Sequence, residues 1–346
     1  MPKNPLAERF AKIKAEEPIP LDRIGSWPDS VHVFDERTLW AVRAAITAQR
    51  PLLITGEPGS GKSQLARAAA QVAGRALLTK VVDARTESRD LQYHFDAVAR
   101  LGEAQALAFQ KHQLCEPDDA AKNDHADTKT DPMNPLCFLK PEVLWWAFEW
   151  HSAEKQAASC RIKAKAPETP KDWKPAHGCV LLIDEIDKAE QDLPNGLLET
   201  LGNGAFSVPY LDKPIGLEKD PAAENYQPPP LVFITSNGER ELPAAFVRRC
   251  MVLHLDLKKD ETELVNWLVD RGKVHQPQMD PTLLKDIATM MWTDRQDAQR
   301  KGLAAPGQAE YLDILKCLAA LSEDPVDQGK ALEHIREFAF AKARRV

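Results

Sequence analysis

Eight consecutive residues, Gly56-Glu57-Pro58-Gly59-Ser60-Gly61-Lys62-Ser63, have the composition of a loop that wraps phosphate oxygens. Glycines at 56, 59 and 61 let main-chain N–H groups curl around an anion, and a helix opening at Lys62 would add its positive N-terminal end. In that arrangement Lys62 reaches the β- and γ-phosphates of a nucleoside triphosphate, and the Ser63 hydroxyl becomes a ligand for Mg²⁺. Gln64 follows within the same first turn. Far along the chain, Val180-Leu181-Leu182-Ile183 ends in Asp184-Glu185. An apolar strand ending in two carboxylates beside a phosphate loop suits one for the metal shell and the next for activating water. Asp184 takes the first part and Glu185 the second.

Two further clusters extend this chemistry. Leu231–Thr235 is a third apolar run, closed by Ser236-Asn237-Gly238. Asn237 is placed to hydrogen-bond water or the γ-phosphate; an Asn-Gly turn is the bland alternative. Arg248 and Arg249 end the stretch Leu242–Cys250. They read either as surface cations at a helix end or as guanidinium groups delivered to the γ-phosphate of a neighbouring subunit.

These side chains need elements to hold them. Pro51–Thr55, Cys179–Ile183, Leu231–Thr235 and Met251–Leu255 have the continuous apolar character of buried parallel strands. Helices are expected over Asp35–Gln49 and from Ser63 to Gly74, the latter closed by its glycine. Strand, glycine turn and helix form the opening of an α/β nucleotide-binding unit. Asp90–Gln113 reads as one helix or two, Glu142–Gln156 as a single aromatic helix, and Gln191–Leu201 as another. A hairpin is expected around Phe206–Pro209. The rest is helical: Glu261–Arg271, Asp280–Arg295, Glu310–Leu321 and Val326–Arg344. The expected division is an N-terminal arm at 1–30, with one short helix over Pro5–Glu17, an α/β core at 31–255 and a helical lid at 256–346. Within the core an insert and loops occupy about 83–177; Glu116–Asn134 and Lys163–Lys174 are expected as exposed loops.

Composition sets outer limits. The 346 residues are 43% hydrophobic and 28% charged, ordinary for a globular chain, and Lys+Arg of 45 against Asp+Glu of 52 leaves a net charge of −7. That balance argues against a surface built to neutralise nucleic-acid phosphates. Six cysteines without a Cys-x-x-Cys pair exclude a disulfide scaffold and suit a reducing, cytoplasmic setting. No apolar run approaches the length of a membrane span.

Together the motifs resemble those of AAA+ ATPases, specifically the MoxR-like branch. The resemblance also rests on Asp184–Ala189, Leu197-Leu198-Glu199 before the hairpin, and Thr235–Pro243 leading into Arg248-Arg249-Cys250. It covers about residues 30 to 320, in patches. It implies a parallel-sheet core with a helical lid, ATP and Mg²⁺ as cofactors, and ATP hydrolysis. Asn237 then matches sensor 1 and Arg249 the arginine finger, with Arg248 its neighbour. Asp90–Gln113 is placed like the helix-2 insert, and Phe206–Leu231 like the pre-sensor-1 hairpin. The family also implies a homo-oligomeric ring, a hexamer by analogy, that remodels a protein client or works with a von Willebrand factor A-domain partner. The rival is an ATP-controlled scaffold or switch with slow turnover. A small-molecule kinase would want an acceptor pocket instead of the arginine and lid pattern, and the guanine-reading Asn-Lys-x-Asp of GTPases is missing. The sequence departs from the family after Pro306, where MoxR-like proteins often carry a sensor-2 arginine; either Lys301 substitutes or the role is lost, and the sensor-2 assignment stays open.

Three other clusters have quieter readings. His112, Cys115, His125 and Cys137 lack the close pairing of zinc sites. Trp145, Trp146 and Trp150 at helical spacing suit a core or subunit interface. Arg161, Lys163, Lys165, Lys171 and Lys174 suit a solvated linker, and Lys342–Arg345 a helix end.

Overall fold

The computed structural model describes residues 5–113, 133–161 and 164–339. Expectations for Cys115, His125, Lys163, most of Glu116–Asn134 and the tail beyond 339 lie outside them. The chain forms two compact units. The first is built from Met1–Gly74, Leu182–Lys188 and Leu231–Val346, and the second from Arg75–Leu181 and Ala189–Pro230.

In chain order the first unit opens with α1 (Pro5–Ala11), β1 (Pro18–Leu21), β2 (Ser30–Val33), α2 (Glu36–Ala48), β3 (Leu52–Thr55) and α3 (Lys62–Ala73). The second unit contributes β4 (Ala76–Val81), β5 (Tyr93–Phe95), α4 (Ala97–Gln113), β6 (Leu139–Pro141), α5 (Val143–Phe148) and α6 (Trp150–Ser159). Strand β7 (Cys179–Asp184) starts in the second unit and ends in the first. Next come α7 (Asp192–Asn203), β8 (Ala205–Phe206) and β9 (Ile215–Gly216) of the second unit. The first unit resumes with β10 (Leu231–Ser236), α8 (Ala244–Val247), β11 (Met251–His254), α9 (Glu261–His275), α10 (Pro281–Arg300), α11 (Gln308–Leu321) and α12 (Pro325–Ala339).

The main sheet has the order β11-β3-β10-β7-β4. Both β10 and β11 pair with β3 in parallel. Apolar runs explain this arrangement: every residue of β10 is buried, as are residues 179–183 of β7. With no polar face to show water, such strands lie in the middle of a covered sheet. The polar residues at their ends, 184–185 and 236–237, therefore emerge together at the carboxyl edge, where α/β sheets bind ligands. The fold is an α/β parallel-sheet core followed by a helical C-terminal region.

That helical region has its own apolar core. Leu283, Leu284, Ile287, Ala288 and Met291 of α10 make one stripe at helical spacing, packed with Leu264, Leu268, Tyr311, Leu315 and Leu318. Each large aliphatic side chain so buried contributes roughly 1.5–3 kcal/mol. The Tyr311 hydroxyl donates to the Leu284 carbonyl at 3.2 Å, and burial pushes its phenol up.

Several sequence expectations change. The first helix stops at Ala11, because Pro18 and Pro20 favour extended chain and β1 pairs antiparallel with β2. Arg67, 2% exposed, anchors the turn between those strands by donating to the carbonyls of Leu21, Asp22 and Pro28. Asp90–Gln113 splits into a short 3₁₀ turn, β5 and α4; Asp96 Oδ1 accepts from the Ala99 N–H at 2.7 Å and starts the helix late. The hairpin pairs β8 with β9, so its turn is wider than Phe206–Pro209.

The single aromatic helix over Glu142–Gln156 is two helices, broken at Glu149. Gln227, 2% exposed, fills the break. Its Oε1 accepts from the Trp150 N–H at 2.9 Å, while its Nε2 donates to the carbonyls of Trp146 and Ala147 at 3.1 and 2.7 Å. Amides and carbonyls that a continuous helix would pair internally are satisfied from outside. The tryptophans are core: Trp145, Trp146 and Trp150 are 5% exposed or less.

Candidate functional site

Every side chain of the candidate site belongs to the first unit. Strand β3 ends at Thr55, the loop 56–61 turns back, and α3 begins at Lys62. Glycine is required at two points of this turn. A Cβ at Gly56 would stand 2.4 Å from the Leu255 carbonyl oxygen, and Gly61 has φ of 89°. As N-cap, Gly61 offers no side-chain acceptor, so the first N–H groups of α3 stay available to an anion.

Lys62 is 6% exposed and its Nζ donates to the carbonyls of Gly56 and Glu57 at 2.8 and 2.9 Å. Burial lowers its ammonium pKa, against the pull of Asp184, Asp187, Glu185 and Glu57. A buried cation ringed by carboxylates and held by main-chain oxygens is well prepared to exchange those oxygens for phosphate.

The Ser63 hydroxyl lies 2.8 and 2.9 Å from the two carboxylate oxygens of Asp184. Thr235 Oγ1 donates to Asp184 Oδ1 at 2.5 Å and accepts from the Glu185 N–H at 2.9 Å. Thr235 thus fixes both acidic residues from the neighbouring strand β10. A hydroxyl and a carboxylate converging beside a phosphate loop are the hard-oxygen donors that Mg²⁺ takes, with phosphate and water completing the shell. The residues fit that ion.

Glu185 has φ of 61°, unusual for a side chain other than glycine, asparagine or aspartate. Its carboxylate meets two partners: Asn237 Nδ2 donates to Oε1 at 3.2 Å, and Lys188 Nζ to Oε2 at 2.5 Å. The bond to Glu185 also raises the Lys188 ammonium pKa. Asp187, 1% exposed, accepts from the main-chain N–H of Asn237 at 3.1 Å and of Glu239 at 2.8 Å. Asn237 is therefore positioned through its backbone and left with a side chain directed at Glu185.

Lys62, Ser63, Asp184, Glu185, Thr235 and Asn237 line one cavity of about 900 Å³, together with Trp27–Val33 of the β1–β2 region and residues of α9 and α11. His32 is on this wall, its ring edge-on to Phe34 at 4.6 Å. Burial and then Arg271 lower its pKa to about 3, so its imidazole is neutral. Arg248 and Arg249 are elsewhere. Both are exposed at the end of α8, between buried Phe246 and Cys250, and among the described residues neither is part of the cavity wall.

The sequence places Glu57 in the phosphate loop and leaves open a sensor-2 role for Lys301, and the structure separates the two. Lys301 is exposed, at the C-cap of α10. Glu57 turns to Arg295 of α10, whose guanidinium donates to Glu57 Oε2 at 2.5 Å and to the Pro306 carbonyl at 3.0 Å. Gln308 opens α11 and lines the cavity, and the Ala309 N–H donates to the Gly59 carbonyl at 3.2 Å. Thr235, Asp187, Lys188 and Arg295 escaped sequence reasoning as site residues. Only the buried-strand pattern around Thr235 and the Asp-Glu-Ile-Asp-Lys run could have signalled the first three.

No curated protein matches the chain. Among solved structures, a putative ATPase from Cytophaga hutchinsonii is similar at 13% identity and a TM-score of 0.33, over 88% of this chain and 79% of that one. A model of the AAA domain, dynein-related subfamily, matches residues 51–250, more than half of the chain. With its phosphate loop, paired acidic residues and Asn237 all inside that match, the chain belongs to the dynein-related AAA domain family.

Proposed function

We propose that this chain is a Mg²⁺-dependent ATP hydrolase of MoxR-like type, which forms a ring, by analogy a hexamer, and remodels or activates a protein partner. The observation that carries the reading is the convergence of Lys62, Ser63, Asp184, Glu185 and Asn237 on one cavity. Lys62 and the first amides of α3 would hold the β- and γ-phosphates. Ser63 and Asp184 would hold Mg²⁺, which when bound supplies Lewis-acid stabilisation of phosphate charge. Glu185 would take a proton from the water that attacks the γ-phosphorus, while the bond to the bridging oxygen breaks and ADP departs. Asn237 would keep the Glu185 carboxylate aimed at that water. Arg249, exposed and outside its own cavity wall, would complete the site of an adjoining copy, with Arg248 beside it. A von Willebrand factor A-domain protein is the partner class that the MoxR-like resemblance favours. Among the described residues no helix is long and apolar enough to cross a membrane.

Hydrolysis and nucleotide binding measured on three proteins test the proposal. Glu185→Gln is expected to bind Mg·ATP and lose about 10²–10⁴-fold in turnover. Arg249→Ala is expected to lose about 10³-fold or more, and only in the assembled protein. Wild-type turnover in the Glu185→Gln variant would reject the assignment.

The contact between Lys188 and Glu185 favours a second reading, in which ATP controls assembly and turnover only resets it. A carboxylate held by an ammonium at 2.5 Å has one oxygen occupied until that partner leaves. Assembly that is complete with a non-hydrolysable analogue, and a partner released without turnover, would select this reading.

A further inference from the structure

We propose that the helical region of this chain senses its own phosphate loop through the Glu57–Arg295 ion pair, instead of through a cation at the start of α11. The inference rests on the nucleotide-binding reading above and deepens it. Glu57 is held at both its main chain, where the Ser60 N–H also donates to its carbonyl at 3.4 Å, and its side chain. Its main-chain carbonyl accepts from Lys62, the residue assigned to phosphate, and its carboxylate accepts from Arg295 of α10. Arg295 is 5% exposed and, among the described residues, has one other acceptor, the Pro306 carbonyl. The next residue back, Asp294, is 8% exposed and grips Arg336 of α12 with both carboxylate oxygens, at 2.9 and 3.0 Å. Two adjacent residues of α10 therefore carry separate charged contacts, one to the phosphate loop and one to α12, joined through the backbone of the helix.

The chemistry of each joint makes this chain responsive. A phosphate oxygen that captures Lys62 Nζ takes it from the Gly56 and Glu57 carbonyls, which leaves the Glu57 peptide held, among the described residues, only by the long Ser60 N–H bond at 3.4 Å and able to turn. The carboxylate moves with that peptide. Arg295 is buried while Glu57 is half exposed, and a buried guanidinium that loses its carboxylate is left with fewer acceptors, which is unfavourable. The guanidinium must follow its partner, and α10 with it, or hold the loop back. By linkage the influence runs both ways: whatever fixes α10 and α12 alters the affinity of the loop for phosphate by the same factor. Gln308, at the start of α11, has no charge to offer, and exposed Lys301 sits at the far end of α10. Arg295 and Glu57 act as positioning residues, each through another group.

Hydrogen exchange of residues 325–336 in the full chain, with and without Mg·ATPγS, reads the coupling directly. In the wild-type protein the nucleotide is expected to change exchange there by about tenfold, as in couplings of moderate strength. Glu57→Gln and Arg295→Met are expected to cut that nucleotide-dependent change at least threefold, by the loss of charge in the pair. Arg295→Lys, which keeps the cation and loses the fork, is expected to fall between. Glu57 is half exposed, so Glu57→Gln carries the test if Arg295→Met does not fold. A Glu57→Gln protein that binds Mg·ATPγS and keeps the full wild-type change at α12 would overturn the coupling. So would a wild-type protein that binds the nucleotide with no response in α12. A wild-type protein that binds no nucleotide would instead overturn the functional reading, and this inference with it.

Discussion

Replacing Asp187 by alanine isolates the question of what holds the catalytic constellation together. Asp187 is 1% exposed and touches no proposed ligand; its carboxylate receives the N–H groups of Asn237 and Glu239. Hydrogen bonds to a charged acceptor are each worth about 1.5–3 kcal/mol, so the pair would total about 3–6. Part of that returns on deletion, because Glu239 is exposed and its amide can bind water, whereas Asn237 is only half-exposed. A net loss of about 2–4 kcal/mol is therefore expected, with roughly half of it for Asp187→Asn, which keeps one acceptor oxygen. With a urea dependence of about 3 kcal/mol per molar for the first unit, the alanine variant should unfold at about 1 M lower denaturant. The functional consequence is separable. Freed of its backbone anchor, Asn237 no longer keeps Nδ2 at 3.2 Å from Glu185, and turnover should fall even where the protein is fully folded. Urea titration followed by hydrolysis at low denaturant measures both. An Asp187→Ala protein with an unchanged midpoint and unchanged turnover would refute the reasoning that this buried carboxylate positions the turn.

Three other outcomes follow from the same contacts. Gly56→Ala should abolish nucleotide binding, measured by a fluorescent ATP analogue, because its methyl group would stand 2.4 Å from the Leu255 carbonyl oxygen. Gln227→Leu should cost about 2–5 kcal/mol in denaturant unfolding by stranding the Trp150 amide and two carbonyls in the break between α5 and α6. His32 should make stability fall with acidity. Its folded pKa of about 3 lies below the ordinary 6.5, so the unfolded chain binds a proton first, and stability present above pH 6.5 is lost as pH falls toward 3. Arg271 and His275 face it with the same sign and Asp35 with the opposite one, and His275 is itself depressed by burial and by Arg271. His32→Phe should flatten that slope in unfolding measured from pH 7 to 4.

The parts of the fold legible in sequence are those set by local composition. The strands β3, β7 and β10 are continuous apolar runs buried along nearly their whole length, whereas β11, read the same way from its composition, is an edge strand and buries only Leu253. The breaks were illegible for a definite reason. Residues 142–156 have unbroken helical character, and the group that interrupts them, Gln227, is some eighty residues further on. Likewise β5 and β6 are three residues each and exist because they pair with one another. Local pattern has no access to a partner so distant in sequence.

The site divides along the same line. Lys62, Ser63, Asp184 and Glu185 were readable because phosphate and metal chemistry demands those side chains at those spacings. Thr235 and Asp187 do their work through bonds to main-chain N–H groups and to other site residues, and any acceptor in the right place would serve. Arg295 is the sharpest case. A search for a cation that follows Pro306 misses it, because it lies one helix earlier in the chain. Yet physical chemistry constrains it more tightly than position does. An arginine only 5% exposed must find acceptors, and the charged one that Arg295 finds is the carboxylate of the second residue of the phosphate loop. The need to neutralise a buried charge thus fastens the helical region to the loop that grips the phosphates.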